Sequence, residues 1–290
     1  MPLPISTATY GSPRSHPVGR IDAKTGALKP FKIDAANGNA ANVHGLIRDE
    51  AGVIWFNAWM PRGALAKIDP KTEKAEVFMP PDGMSHIDGP VTLDYDSRGG
   101  IWAGTPDGAL RFDPATGKFT EFKSVNPKGP NGGQGGTYGI AGDKDGNGYW
   151  SQMAFDTIVK ADLKTGKTTE MKLLPLKDEM ARATAADNAF YDTYGPRDIG
   201  TPFPWSQGPR RMGIDRENGI LWVANSWSGT LGRIDTKTMQ TTLIRSRTVL
   251  PSSPIMQCRT NIRMSGRRCG PPTRSPNTIP RPADGRCSTC

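Results

Sequence analysis

Few side chains in this sequence can move a proton near neutral pH, for there are three histidines and four cysteines in 290 residues. His44 sits in Val43-His44-Gly45-Leu46, and Tyr138 sits in the matching run Thr137-Tyr138-Gly139-Ile140. A histidine in such a place can act as a base close to neutrality, or it can be a hydrogen-bonded structural residue. His86 stands in a connecting segment. Asn57, Trp59, Asn225 and Trp227 follow tryptophan-bearing runs, and Tyr191 and Trp205 belong to a long Pro- and aromatic-rich connection that also holds Tyr194 and Phe203. Together they are the candidates for contact with a small-molecule or peptide ligand.

Two metal-like patterns are weaker. Cys287 and Cys290 have the spacing of a zinc or redox pair, but zinc needs four ligands on a scaffold, and only Cys258 and Cys269 remain. Asp143-Lys144-Asp145-Gly146-Asn147-Gly148 begins like a calcium loop, yet Ala154 stands where the closing Glu belongs. The segment reads as a hairpin turn.

The elements that must position these residues come from a repeat. VGRIDAKTGALKPF from Val18, LAKIDPKTEKAEVF from Leu65, ALRFDPATGKFTEF from Ala109, IVKADLKTGKTTEM from Ile158 and LGRIDTKTMQTTLI from Leu231 share one form. Each is an alternating run, an Asp, a tight turn and a second alternating run, which makes a β-hairpin. The Asps (22, 69, 113, 162 and 235) are spaced by 47, 44, 49 and 73 residues, an internal period that marks a repeat architecture. A second hairpin alternates with the first, beginning at His44, Val91, Tyr138 and Met212 and carrying Trp55, Trp102, Trp150 and Trp222. One Trp per repeat reads as core packing.

Two hairpins per repeat give four antiparallel strands, A to D, with no amphipathic helix between them. The fold class is therefore all-β: a β-propeller of four-stranded antiparallel blades, incomplete here and six- or seven-bladed in its parent. Blades are expected at 43–80, 90–124, 137–173 and 210–246, with 18–33 giving strands C and D of another and a closing partner downstream of 246. The domain reading is an N-terminal extension at 1–17, propeller blades over 18–257 with an inserted loop at 174–209, and a disordered Arg/Pro/Cys-rich tail at 258–290.

The tail also accounts for the charge. It holds seven Arg and one Asp; without it the net charge of +9 falls to +3, from 30 basic and 27 acidic residues. That is an ordinary solvated surface, which argues against nucleic acid as a partner. No apolar run is long enough for a membrane span, and the N-terminus lacks the pattern of a signal peptide. The expectation is a monomer, cytoplasmic as written, and periplasmic or secreted if an upstream signal has been lost. The tail is out of pattern in another way. In a reading frame displaced by two nucleotides its codons fix second and third bases compatible with VWTxxWTxDAVAKYDPATGRWTMFDL. Within this, YDPATGRWTMF parallels FDPATGKFTEF at 112–122. We read this as a frameshift near Gln257 that replaced a further blade.

Topology sorts the loops. The starts of A strands, the B–C loops and the D-to-A links share one face, whereas the tight A–B and C–D turns share the other. The links, at 34–42, 80–89, 124–136 and 174–209, are long and irregular, so function is expected on their face. KDEMARATAADNAF in the longest link reads as a short helix leading into a cap over the channel mouth or a loop packed on a neighbouring blade.

At this level the chain resembles a family. The alternation of x-His/Tyr-Gly-Ile, Asp-x-x-Gly-x-Ile-Trp-Phe and Gly-Arg-Ile-Asp-x-Lys-Thr-Gly is similar to the virginiamycin B (streptogramin B) lyases, within NHL-type propellers, over roughly 18–257. The resemblance implies a seven-bladed propeller and a magnesium-assisted C–O lyase that linearises a cyclic depsipeptide. It implies His44 as the base and Tyr138 as an orienting group, with Mg2+ as the cofactor if the activity is kept. The family's paired His and Glu are absent, because Asn42 stands at the Glu position and Val91 and Met212 occupy the equivalent region of other strands. The alternative is a non-catalytic ligand- or protein-binding propeller.

Overall fold

The computed structural model describes residues 5–7, 18–31, 43–58, 63–87, 92–128, 134–174, 184–186 and 206–245. All lie in one compact unit, Met1–Thr260. The expected closing strands, the Cys-rich tail and its frame therefore lie outside the described residues. Of the expected short helix, only 184–186 are described, and two of those three residues are helical. No helix among the described residues is long and apolar enough to cross a membrane.

Among the described residues, nineteen strands form five antiparallel sheets in chain order. Sheet I holds β1 (Ile5–Thr7), β2 (Val18–Ile21) and β3 (Leu28–Phe31). Sheet II holds β4 (Val43–Arg48), β5 (Ile54–Ala58), β6 (Ala64–Ile68) and β7 (Ala75–Phe78). Sheet III holds β8 (Leu93–Tyr95), β9 (Ile101–Thr105), β10 (Gly108–Asp113) and β11 (Lys118–Lys123). Sheet IV holds β12 (Thr137–Gly142), β13 (Gly148–Gln152), β14 (Thr157–Ala161) and β15 (Thr168–Lys172). Sheet V holds β16 (Pro209–Asp215), β17 (Ile220–Asn225), β18 (Thr230–Asp235) and β19 (Thr241–Arg245). Each four-stranded sheet is an A-B-C-D meander, and the first strands of neighbouring sheets adjoin: β4 with β8, β8 with β12, β12 with β16. This is the blade arrangement of a propeller. Sheet I differs from expectation by one strand. Residues 5–7, within the stretch read as an N-terminal extension, pair with β2 on the side away from β3, in the place of a strand B.

The repeated hairpin Asp explains why these turns form. The Asp22 carboxylate accepts the backbone N–H groups of Lys24 (2.8 Å) and Thr25 (2.9 Å), while its carbonyl accepts that of Gly26. The same geometry recurs at Asp69, Asp162 and Asp235, and at Asp113 with the Thr116 hydroxyl in place of one N–H. Each turn needs a left-handed residue at its fifth position. Gly26, Gly117 and Gly166 supply it freely, whereas Glu73 and Met239 adopt φ of 58° with a side chain attached.

Packing follows position in the blade. Every residue of β5, β9 and β13 is buried, because a B strand has a strand on either side and a sheet against its face; the D strands mix exposed with half-buried residues. Apolar side chains fill each junction between consecutive sheets. Trp55 packs with Leu93 and Ile101 between II and III, and Trp102 with Ile140 and Val159 between III and IV. Tyr149 packs with Met212 and Leu221 between IV and V.

The register corrects one expectation. Trp55, Trp102 and Trp222 pair with Ile47, Asp94 and Gly213, but the corresponding partner in sheet IV, Ala141, faces Tyr149. Trp150 instead matches Phe56 and turns back to donate its indole N–H to Ser124. The turn Asp is the landmark. Asp49 accepts the Trp55 indole N–H (2.8 Å), Asp96 that of Trp102 (2.9 Å), and Asp143 the Tyr149 hydroxyl (2.9 Å). Burial, followed by the adjacent Asp143 charge, pushes the Tyr149 hydroxyl up, so it stays a donor. Asp143 also accepts from Asp145 N and from Asn147, so its carboxylate caps the hairpin turn. Trp222 is only half-buried, whereas Trp55, Trp102 and Tyr149 lie under the sheet that follows them.

Candidate ligand site at the irregular face

The inner strands β4, β12 and β16 each begin with a break in register, at Val43–Leu46, Thr137–Ile140 and Pro209–Arg211. A bulge leaves backbone groups unpaired and re-aims side chains, and it recurs at functional rims. Polar residues on the next strand satisfy the freed groups. Asn57 accepts the N–H groups of His44 (3.3 Å) and Gly45 (2.6 Å), and Ser151 accepts that of Gly139 (2.9 Å). Thr92, at the entry to β8, donates its N–H to the Tyr138 carbonyl (2.9 Å) and accepts the Ile140 N–H (2.8 Å), which locks sheet III to sheet IV. Gly139 is required by proximity, since a Cβ there would lie 2.3 Å from the Arg210 carbonyl of β16.

These bulges bring His44 and Tyr138 together. Their ring centroids are 6.1 Å apart and the rings are perpendicular, although the residues come from sheets II and IV with sheet III between. His44 is half-buried and Tyr138 is 5% exposed. Two residues that sequence reasoning missed complete the cluster. The Arg210 guanidinium carbon lies 4.6 Å from the Tyr138 centroid and that of Arg211 lies 5.2 Å away, with Arg211 Nη2 3.4 Å from the Tyr138 hydroxyl. Consecutive strand residues normally point to opposite faces; the bulge at Pro209–Arg211 lets both reach one ring.

The other candidates are spread along the same face. Asn57 is fully buried and serves the β4 bulge. Asn225, 2% exposed, donates to the Thr230 hydroxyl (2.9 Å). The Thr230 and Ser228 hydroxyls both donate to Gln207 Oε1. Trp227 is half-buried with its indole against Gly208, which has φ of 60°. Asp156 in the B–C loop of sheet IV accepts the N–H groups of Gln207 (3.0 Å) and Gly208 (2.8 Å) and so fixes the approach to β16. His86 is exposed. Its neighbour Ser85 is held by Glu121 and Lys123 of the outermost strand of sheet III, so this part of the link lies over the rim, away from the inner strands. Trp59, Tyr191 and Trp205 lie outside the described residues. The signal that could have flagged Arg210 is its register: it follows Pro209, the first paired residue of its A strand, as His44 follows Val43 and Tyr138 follows Thr137, and Arg211 is the next residue along the bulge.

Among the described residues the donor set does not fit magnesium. Beside His44 and Tyr138 the charged groups are guanidiniums, which repel a dication, and no group of three His, Cys, Asp or Glu residues suited to a metal occurs among the described residues.

No protein-family model and no curated protein matches the chain, whereas solved structures do. It is similar to virginiamycin B lyase from Staphylococcus aureus, with TM-score 0.55 and 18% identity, over 80% of this chain and 63% of that one. A catalytically inactive form of that enzyme with quinupristin matches with TM-score 0.55 and 17% identity, over 80% and 64% of the two chains. The fold is that of a virginiamycin B lyase-like β-propeller. The chain spans less than two thirds of the length of those enzymes. It is also similar, with TM-score 0.51 and 15% identity over 79% of this chain and 27% of the other, to the extracellular domain of a protein described as a one-component system of B. thetaiotaomicron. The shared fold thus carries both enzymes and extracellular domains, and function has to be argued from the site.

Proposed function

We propose that this protein is a small-molecule-binding propeller whose ligand sits at the irregular face over the His44–Tyr138 pair. The observation that carries the reading is the convergence of those two rings from sheets II and IV at the bulged starts of inner strands. A semi-buried, multi-sheet rim with aromatic, imidazole and guanidinium groups offers a ligand both stacking and hydrogen bonds. A second reading is a C–O lyase acting on a cyclic depsipeptide, with His44 as the base and Tyr138 orienting. It is favoured by the same pair, held at the repeat position that the resemblance assigns to such groups. Against it stands the cationic character of the cluster, which suits magnesium poorly. Titration calorimetry with quinupristin, run beside a ring-opening assay with added magnesium, tests both. Saturable binding without turnover, abolished in Tyr138→Ala, is expected. Turnover lost in His44→Ala would replace the first reading by the second, and quinupristin binding that survives both substitutions would overturn both.

We further propose that the reading frame behind residues 258–290 once encoded another blade. Supporting this, Trp222 is only half-buried where its counterparts Trp55 and Trp102 are buried under the sheet that follows. Sequencing the gene tests it: codons that cannot yield the displaced-frame peptide would end the idea.

A further inference from the structure

We infer that the junction of β12 and β16 is a carboxylate-binding site, in which Arg210 and Arg211 hold an anionic small molecule beside Tyr138. The inference rests on reading the irregular face as a ligand site and adds the ligand's charge and its anchors. Three observations carry it. First, two guanidiniums lie against one ring, at 4.6 and 5.2 Å from its centroid, which places two like charges within about 10 Å of each other. The aromatic face compensates each cation only weakly. Second, neither has a carboxylate partner among the described residues. Other part-buried arginines do: Arg111 holds Asp96 (2.7 Å) and Arg216 holds Asp94 (2.9 Å). Third, Arg210 Nε is buried with no hydrogen-bond partner, and it belongs to a set. Thr105 Oγ1, Asp107 Oδ1, Thr137 Oγ1, Gln152 Oε1 and Asn225 Oδ1 are also buried and unpartnered, all at A-strand starts or around B–C loops; Arg216 Nε alone lies at the other face. Buried polar groups are ordinarily satisfied, so their concentration on one face singles it out.

Charge decides the ligand class. Two adjacent, permanently cationic forks disfavour a cation and leave a neutral ligand no means to offset their repulsion, whereas a carboxylate does so with paired N–H···O bonds. Tyr138 sets the spacing of the forks, and its hydroxyl, 3.4 Å from Arg211 Nη2, orients one of them.

The test is calorimetry on the full chain with succinate, inorganic phosphate and neutral succinamide as probes. Saturable succinate binding is expected, at least tenfold weaker in Arg210→Gln and in Arg211→Gln, unchanged in the exposed-surface control Lys164→Gln, and weakened by salt. Succinamide should not bind. Should the arginine variants fail to fold by circular dichroism, phenylglyoxal modification of the unmutated protein gives the second readout. The peptide carrying Arg210 and Arg211 should be protected by succinate and not by succinamide. Equal binding of succinate and succinamide, unchanged succinate binding in the folded variants, or capture of phosphate alone would each overturn the carboxylate assignment. Quinupristin binding that persists in the arginine variants and is lost in Tyr138→Ala would overturn this inference while leaving the ligand-site reading in place.

Discussion

Arg216, which follows β16 of sheet V, reaches past sheet IV to Asp94 of sheet III, with its Nη2 2.9 Å from the carboxylate, while its guanidinium stacks 4.1 Å over the Tyr95 ring. Asp94 also accepts the Gly142 N–H of sheet IV (3.0 Å), so one carboxylate joins three blades at the face opposite the candidate site. Arg216→Gln leaves that part-buried carboxylate without its counter-ion and should cost about 1–3 kcal/mol. Asp94→Asn should cost less, because it removes the buried charge. Urea unfolding of both variants and of the double variant measures the difference.

The same carboxylate has a pH signature. Burial holds Asp94 above the usual carboxylate range, against the pull of Arg216. The folded state therefore binds its proton more tightly than the unfolded chain does. This contribution favours folding at low pH and is lost as pH rises from the ordinary value through the raised one. The stability of Asp94→Asn relative to the unmutated chain should accordingly improve as the pH rises above about 4 in thermal melts.

The hairpin Asps act in the opposite direction. Backbone N–H groups of the turn, the largest cause at Asp22, Asp162 and Asp235, hold these carboxylates below the usual range. Their contribution is present above the unfolded value of about 4 and disappears as pH falls through the lowered folded values. Asp162→Asn should flatten the acid limb of a plot of melting temperature against pH; an unchanged limb would show that this turn has no part in acid unfolding.

Met239 and Glu73 occupy the left-handed position that glycine takes in three sister turns. Met239→Gly relieves about 1 kcal/mol of backbone strain but removes a side chain packed against the Tyr149–Leu221 cluster, so the net rise in the urea midpoint at constant slope should fall below that figure. Glu73→Gly should gain less, because Glu73 ion-pairs with Arg20 and Lys29 of sheet I.

A chain with the displaced reading frame restored should bury Trp222. Its indole emission should shift to the blue and its melting temperature rise, while Trp222→Ala should erase much of that gain.

The strands were legible because their hairpin code is local: an Asp, two backbone donors and a left-handed residue at the fifth position of the turn. His44 and Tyr138 were legible as a pair of repeat positions, although their meeting was not, since it depends on how sheets II, III and IV curve together. Trp150 misled because residue type outweighed register; counting six residues from Asp143 gives Tyr149, as counting from Asp49 and Asp96 gives Trp55 and Trp102. Arg210 and Arg211 were hidden by the bulge that breaks strand alternation. The Arg216–Asp94 link was hidden by a sequence separation of 122 residues.

The edge-on contact of His44 with Tyr138 has a spectroscopic use. An imidazole proton near a phenol ring feels its ring current, and the shift falls off steeply with separation. The His44 C–H resonances are thus a gauge of the curvature of the arc formed by sheets II to IV. Anything that wedges the inner strands apart, or draws them closer, should register there before it alters any backbone hydrogen bond.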